Sequence, residues 1–369
     1  MTYLGERKAV LSGKLSLCEG RGRYESTLGS TMEEAAVELP VLLIYELDPS
    51  WTPTERKEAA REGCRLGCAM RRQGHSVKFL PVCDGDLPGA LSAFDPCEVL
   101  VFNWCEGLPG VERSEPLVAE TLERLRFTYT GSSGETLKLS YDKPHVKRLL
   151  GSRRIPTPRW KLLRSPDAGG WDVFPAIVKP AWEHCSIGVD AGAVVCDRAE
   201  LEERAAYVLE KHRQPALVED FVDGREFHVP LWGNEDVEVL PTVEMDFSAF
   251  ADVHQRLCSY DAKFVPESEA YRKITSHVPA RLTAEELAEL ESVSRAAYLA
   301  LECRDYGRID VRLRDGVFYV IDVNPNADIS ADASMALAAG KVGYCYGAMG
   351  SRVVQMAAQR HVQNLAPHQ

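Results

Sequence analysis

The sequence predicts a mixed α/β protein: a doubly wound α/β unit with a parallel sheet near the N-terminus, followed by an α+β part. Strand-like and helix-like segments alternate between residues 40 and 103, the pattern of successive βαβ units. Further on, residues 307–326 read as two strands joined by a tight turn, an antiparallel pairing. With 369 residues, 45% of them hydrophobic, the chain can build two or three domain cores.

A formal charge of −12 excludes the basic footprint of a nucleic-acid binder. No apolar run approaches the ~18 residues of a membrane span, and the first residues lack the pattern of a secretory signal. A cytoplasmic protein is expected, with no membrane partner. Eleven cysteines in such a chain read as reduced, mostly buried thiols. Cys64 and Cys68 stand one helical turn apart, and no CxxC or HExxH pattern marks a zinc site.

Residues 1–38 show no sustained apolar period and read as an extension. Residues 40–47 form a buried strand, 54–73 a helix closed by Gly74, 77–82 a second strand, 86–94 a helix and 98–103 a third strand. One more helix covers 117–125. Ser140 can cap a short helix that stops at Gly151, and Ile155-Pro156-Thr157-Pro158 forces an extended crossing. Strands follow at 174–180, 216–222 and 224–232, with a helix over 199–211 and more sheet over 237–245. Residues 247–277 are charged and aperiodic, and loops of that length are usually functional or disordered. Thr283-Ala284-Glu285-Glu286 is a capping box for the next helix, and further helices lie near 332–339 and 345–359.

In the closing pair of strands, Arg308 to Arg314 alternate polar and apolar, Val317 to Asn324 are rich in β-branched and aromatic residues, and Asp315-Gly316 marks the turn. A two-residue loop pairs Arg314 with Val317 and sets Asp310 against Ile321. A three-residue loop pairs Arg314 with Phe318 and sets Asp310 against Asp322, gathering Ile309, Val311 and Leu313 with Tyr319, Ile321 and Val323 on one apolar face. The apolar pattern selects the three-residue loop, with Gly316 left-handed. Asp310, Asp322 and Asn324 then share a face with Arg308. Two carboxylates and an amide are hard oxygen donors suited to Mg²⁺, although a solvated polar face is the simpler reading of that hairpin alone.

The motifs Tyr129-Thr130-Gly131-Ser132, Ser140-Tyr141-Asp142-Lys143 with Lys147, Ile177-Val178-Lys179-Pro180, Ser186-Ile187-Gly188-Val189 and Val218-Glu219 occur in this order. Gly224-Arg225-Glu226-Phe227, Tyr260-Asp261-Ala262-Lys263, Gly307 to Val311 and Asp322 to Asn326 follow. Each is weak alone. Together, over roughly residues 40–360, they resemble the D-alanine–D-alanine ligases of the ATP-grasp superfamily.

The resemblance implies an N-terminal α/β substrate domain (39–135), a central ATP-grasp lid (136–217) and a C-terminal catalytic domain (218–369), with 1–38 as an N-terminal extension. It implies an ATP-dependent ligase: a carboxylate takes the γ-phosphoryl group, and an amine displaces phosphate from the acyl phosphate. Lys143 and Lys179 would meet the α- and β-phosphates, Lys263 the γ-phosphate, and Ser186 the phosphates from its turn. Taken singly a lysine is more often a solvated group, though Lys179 ends an apolar strand. Glu219 with the backbone of Asp220 and Val222 would read adenine, and Glu226 the ribose. Asp310, Asp322 and Asn324 would hold Mg²⁺, two ions by resemblance, with Mn²⁺ an admissible replacement. Arg308 would stabilise the oxyanion; its alternative is an ion pair with Asp310 or Asp322. A homodimer is implied by resemblance alone.

The departures concern substrate. Phe264 replaces a tyrosine after Lys263, and Cys185 replaces one of two adjacent serines. Asp328 replaces a glycine, and Ala333 a serine, at the positions that receive the second substrate's carboxylate. A carboxylate at 328 would favour an ammonium or hydroxyl group, unless Asp328 merely caps a turn. Glu55-Arg56 resembles the pair that meets the first substrate's ammonium, or faces solvent. Glu106 stands in a loop where the family carries histidine. The expected activity is therefore amide formation between amino-acid-like substrates in a specialised pathway. Alternatives are a true D-alanine–D-alanine or D-alanine–D-hydroxy-acid ligase and a catalytically silent ATP-binding partner protein.

Overall fold

A parallel sheet opens the computed structural model, which describes residues 39–265 and 267–365; the expected extension at 1–38 lies outside them. Strands β1 (Val41–Glu46), β2 (Val77–Val82), β3 (Leu100–Trp104) and β4 (Thr128–Tyr129) pair in the order β2-β1-β3-β4. Odd-numbered β1 residues Val41, Leu43 and Tyr45 pack under helix α1 (Pro53–Arg71). Even-numbered Leu42 and Ile44 face helices α2 (Leu87–Leu91) and α3 (Glu115–Arg124). A strand buried on both faces needs the continuous apolar run that these residues supply. Helix α4 (Gly134–Tyr141) leads on to helix α5 (Lys143–Ser152).

Strands β5 (Trp160–Leu163), β6 (Ala176–Pro180), β7 (Val194–Val195) and β8 (Ala216–Asp220) form an antiparallel sheet ordered β5-β8-β6-β7, backed by helix α6 (Arg198–His212). The third sheet holds β9 (Arg225–Trp232), β10 (Glu238–Val239), β11 (Val243–Asp246), β12 (Thr275–His277), β13 (Tyr306–Arg314) and β14 (Val317–Asn324). Within 247–277, the aperiodic stretch folds into short helices α7 (Tyr260–Phe264) and α8 (Glu269–Lys273) before β12. Helix α9 (Ala284–Ala300) starts with the predicted capping box on Thr283 and Glu286 and covers the apolar face of the third sheet. Helices α10 (Ser334–Lys341) and α11 (Tyr346–Leu365) close the chain.

Several expectations need correction. The β13–β14 turn has two residues, not three: Arg314 pairs with Val317, and Asp315 (φ 53°) and Gly316 (φ 76°) are both left-handed, as a type I′ turn requires. A bulge between Asp310 and Val311 then adds one residue to β14 and restores the pairing of Asp310 with Asp322. The buried apolar set consequently becomes Ile309 and Val311 with Phe318, Val320 and Val323, while Tyr319 and Ile321 turn to the other face.

Ser140 does not cap α5. Helix α4 continues past it and its hydroxyl returns to the Leu137 carbonyl at 2.7 Å, so the Asp142 carboxylate caps α5 by accepting from the His145 amide at 2.9 Å. Gly151 lies inside α5 rather than ending it. Of the cysteines, Cys64, Cys68, Cys83, Cys97, Cys196 and Cys345 are exposed rather than buried; the ten described are all free thiols. Among the described residues no helix is long and apolar enough to cross a membrane.

Candidate active site

The second and third sheets face each other across a cleft of about 330 Å³. Strand β13 lies between β9 and β14, with Arg308, Asp310 and Arg312 on its polar face. Arg308 grips Asp310 with both prongs, Nε to Oδ1 at 2.6 Å and Nη2 to Oδ2 at 2.9 Å, and Asn324 Nδ2 donates to the same carboxylate at 3.1 Å. Burial works against the Arg308 charge, but Asp310 more than offsets it and holds the guanidinium above its ordinary value. The ion-pair alternative for Arg308 is thus formed here.

Asp322 receives Lys143 Nζ at 3.0 and 3.1 Å. Burial would raise its carboxyl, but Lys143, His184 and Lys179 keep it well below the usual carboxylate range. The position of Lys143 follows from the Asp142 cap, which makes it the first residue of α5 at the cleft wall.

On the second sheet Lys179 pairs across from Leu217, making Glu219 its diagonal neighbour on the same face. Glu219 is 2% exposed and carries two ammonium groups, Lys147 Nζ at 2.5 Å and Lys179 Nζ. Burial favours its neutral form, yet the two lysines pull its carboxyl down to about 2. With two ammoniums on one carboxylate, burial prevails at Lys147 and lowers it to about 8 despite Glu219. Burial also opposes the Lys179 charge, but Glu219 and Asp322 raise that ammonium above its ordinary value. Sequence reasoning reserved Glu219 for a base; in the fold it is also the counter-ion of the two lysines.

Glu226 is fixed by cross-strand pairing with Arg312, whose Nε donates to it at 2.7 Å, and His228 Nε2 lies 3.4 Å away. Burial would raise the Glu226 carboxyl; Arg312 and His228 instead hold it well below its ordinary value. Arg312 also donates to the Val222 carbonyl at 2.9 Å, and the Asp220 N–H is committed to the Arg159 carbonyl. The Asp220 side chain pairs with Arg314. Gly224 lies against the third sheet so closely that a β-carbon would stand 1.9 Å from the Leu313 carbonyl oxygen.

The turn after β6 carries Cys185 (φ 56°), Ser186 (φ 60°) and Gly188 (φ 73°). Lys263 Nζ, from α7, donates to Ser186 Oγ at 2.9 Å, and Ser186 Oγ donates to the Cys258 carbonyl at 2.9 Å. Thus Lys143, Lys179, Lys263, Ser186, Glu219, Glu226, Arg308, Asp310, Asp322 and Asn324 all line one cleft, with Glu106 and Asp328 also on its wall.

Glu55 departs from its expected place. It is the third residue of α1, where its carboxylate accepts from the Thr52 amide at 2.6 Å in a capping box, and it does not line the cleft. Asp328 is exposed and accepts from the Ser330 amide at 2.8 Å, so the turn reading holds for one of its oxygens. The Phe264 side chain lies outside the described residues. Sequence reasoning missed Arg312, His228 and His184. The alternation of β13 marked Arg312 as polar, but only the β9 pairing reveals its partner.

A family profile described as the D-ala D-ala ligase C-terminus matches residues 163–355. The chain belongs to the D-alanine–D-alanine ligase family. It is 30% identical over 315 residues to a D-alanine–D-alanine ligase of Marinomonas sp., covering 82% of this chain and 92% of that protein. It is 32% identical over 306 residues to an uncharacterized protein of Sinorhizobium fredii, covering 80% of this chain and 87% of that protein. Its fold is that of a D-alanine–D-alanine ligase from Bacillus anthracis complexed with ATP (TM-score 0.67, 19% identity, 87% and 99% of the two chains). It is also that of a D-Ala:D-Ser ligase from Enterococcus faecalis (TM-score 0.65, 15% identity, 86% and 99%). D-alanine–D-alanine ligase family members are ATP-dependent, C–N bond-forming enzymes that use Mg²⁺, and this chain is an ATP-grasp ligase.

The donors fit that chemistry. Asp310 and Asp322 are carboxylates whose present partners, Arg308 and Lys143, are cations, and the Asn324 side-chain amide, whose Nδ2 donates to Asp310, lies beside them.

Proposed function

We propose that the protein joins an amino-acid-like carboxylate to a small amine in a specialised pathway, at the expense of ATP, and that its second substrate is not D-alanine. The observation that carries this reading is the convergence of three lysines and three oxygen donors on a cleft whose rim bears Asp328. In this reading residues 136–217 are the lid and 218–369 the catalytic domain, 39–135 belong to the substrate domain, and the enzyme acts as a homodimer.

Phosphoryl transfer is mostly positioning and charge neutralisation. Lys143, Lys179 and Lys263 orient the triphosphate, Ser186 and its turn cover it, Glu219, Asp220 and Val222 bind the base, and Glu226 the ribose. Asp310, Asp322 and Asn324 would hold two Mg²⁺ ions, with Mn²⁺ an admissible replacement, and the ions would supply charge neutralisation for the phosphates. Arg308 then faces the developing oxyanion.

On the substrate side, burial and then the nearby Asp328 charge raise the Asp332 carboxyl, and Glu62 adds to this. An acid-rich rim repels a carboxylate and attracts an ammonium. The amine is therefore expected to carry a second positive charge or a hydroxyl, with Glu106 an additional contact.

Phosphate release screened across pairs of carboxylates and amines tests this. Turnover only with a matched pair whose amine lacks a free carboxylate supports the reading, and turnover with D-alanine alone overturns it. That second outcome would establish the other reading, a true D-alanine–D-alanine ligase, which the names of several relatives favour. Nucleotide binding with no turnover for any pair would indicate a silent partner protein.

A further inference from the structure

Away from the cleft, at the seam between the second sheet and the 247–277 segment, Cys196, Glu200 and His254 bring one ligand atom each within 4.8 Å of one another. Cys196 follows β7, Glu200 stands in the first turn of α6, and His254 comes from the other side of the seam. We propose that these three residues bind Zn²⁺ and that the ion clamps the segment carrying Lys263 against the second sheet, whose turn after β6 carries Ser186.

The spacing of the thiol and the imidazole fits a zinc site. Cys196 Sγ and His254 Nε2 are 3.7 Å apart. Ligands at ordinary Zn–S and Zn–N distances and a tetrahedral angle stand about 3.6 Å apart. The histidine is oriented for the task, because its Nδ1 lies 2.7 Å from Asp252 Oδ1. With the proton on Nδ1, the Nε2 lone pair is turned to the thiol, the carboxylate–histidine arrangement that accompanies zinc ligation. The Glu200 carboxylate is held in place by accepting from the Cys196 amide at 2.6 Å. Thiolate, imidazole and carboxylate together select Zn²⁺ over Mg²⁺ or Ca²⁺. The remaining coordination position opens to water, since Cys196 and Glu200 are exposed. As the Zn–S bond forms, the thiol proton passes to solvent, so binding strengthens with rising pH.

The consequence follows from what the seam joins. Ser186 Oγ to the Cys258 carbonyl and the Tyr260 amide to the Val189 carbonyl, each 2.9 Å, already tie the segment to the turn over the cleft. With the Lys263–Ser186 hydrogen bond these are three ties, and a metal bond farther along the seam adds a fourth and opposes separation of the two walls.

The test is a titration of the full chain with Co²⁺, followed by competition with Zn²⁺. One equivalent is expected to produce thiolate-to-cobalt charge-transfer absorption that Zn²⁺ abolishes. C196S should remove the band, H254A should weaken binding at least as much, and D252N roughly 10–100-fold through lost orientation. No band in the wild-type chain, or a band that survives C196S, overturns the site; Cys64 and Cys68 are the thiols that would then account for it. The clamp is read separately, as the release rate of a fluorescent nucleotide. Zn²⁺ should slow release several-fold in the wild type and leave C196S unchanged. Equal rates with and without Zn²⁺ in a chain that binds the ion overturn the clamp. The Co²⁺ band does not depend on the ligase reading, so failure of the one is distinguishable from failure of the other.

Discussion

Asp310 and Asp322 face each other across β13 and β14 only because a bulge compensates for the two-residue turn. Without the extra residue Asp310 would oppose Ile321, and the second carboxylate would point into the apolar layer under α9. Both carboxylates are expected to be needed for turnover. Asp322→Asn and Asp310→Asn should each lower kcat on the order of 10³-fold, the scale of lost metal-assisted charge stabilisation. Phosphate release read alongside a melting curve checks this. A variant that folds and keeps wild-type kcat refutes the metal assignment.

Lys263 and Ser186 form a hydrogen bond between α7 and the turn over the cleft. Lys263→Met should reduce kcat by about 10²-fold, in line with loss of a charged donor at the reacting centre. Ser186→Ala leaves the ammonium in place and should cost about tenfold. Steady-state kinetics in varied ATP separates the two, and equal effects would mean that the pair acts only as a structural tie.

Arg308 is held in a bidentate grip by Asp310, so a lysine at this position keeps the charge but not the fork. Arg308→Lys should lower kcat by about 10²-fold while leaving ATP binding, followed by fluorescence, within a few-fold of wild type. Weakened binding with preserved kcat would assign Arg308 to the nucleotide rather than to the oxyanion.

The buried lysine pair makes stability depend on pH at both ends. Glu219 has an ordinary value of 4.5 and titrates at about 2 in the fold. Its stabilisation is complete above 4.5 and declines as the pH falls from there toward about 2, because the unfolded chain takes the proton first. Lys147 behaves oppositely: its folded value of about 8 lies below the ordinary 10.5, so stability rises with pH between them. Lys147→Met keeps the Lys179–Glu219 pair and should abolish the alkaline rise. Urea midpoints from pH 3 to 10 report the acid limb directly, and the difference between wild type and Lys147→Met isolates the alkaline contribution from that of the buried thiols; a difference that stays constant above pH 8 contradicts the assignment.

Asp328→Gly should raise KM for the amine substrate about fivefold and admit amines that carry a carboxylate. That scale follows from an exposed ion pair between Asp328 and the substrate ammonium, which stabilises binding by about 1 kcal/mol. Initial rates across a panel of amines with and without a carboxylate measure both effects. An unchanged substrate range would leave Asp328 with only its turn to Ser330.

Much of this protein was legible in the chain. The first three strands of the N-terminal sheet, the capping box of α9 and the order of lysines and acidic residues follow from local pattern, because apolar period, caps and turn residues act over a few positions. The face shared by Asp310, Asp322 and Asn324 was legible too, although a bulge and not a three-residue loop produces it. An apolar alternation constrains which side chains share a face, and both a longer turn and a bulge satisfy that constraint.

The tertiary structure alone decided the pairings. Glu219 meets Lys147 and Lys179, Glu226 meets Arg312, and Asp322 meets Lys143 because separate strands and helices converge there. Glu55 differs from these: its partner Thr52 is three residues away, a capping box that local sequence could have shown, and its solvent-facing alternative is the one the fold realises. The residue types and their order were determined by the sequence itself, through short-range preferences. Which charge neutralises which was determined by the fold, because burial forbids an ionised group without a partner and only long-range packing supplies one.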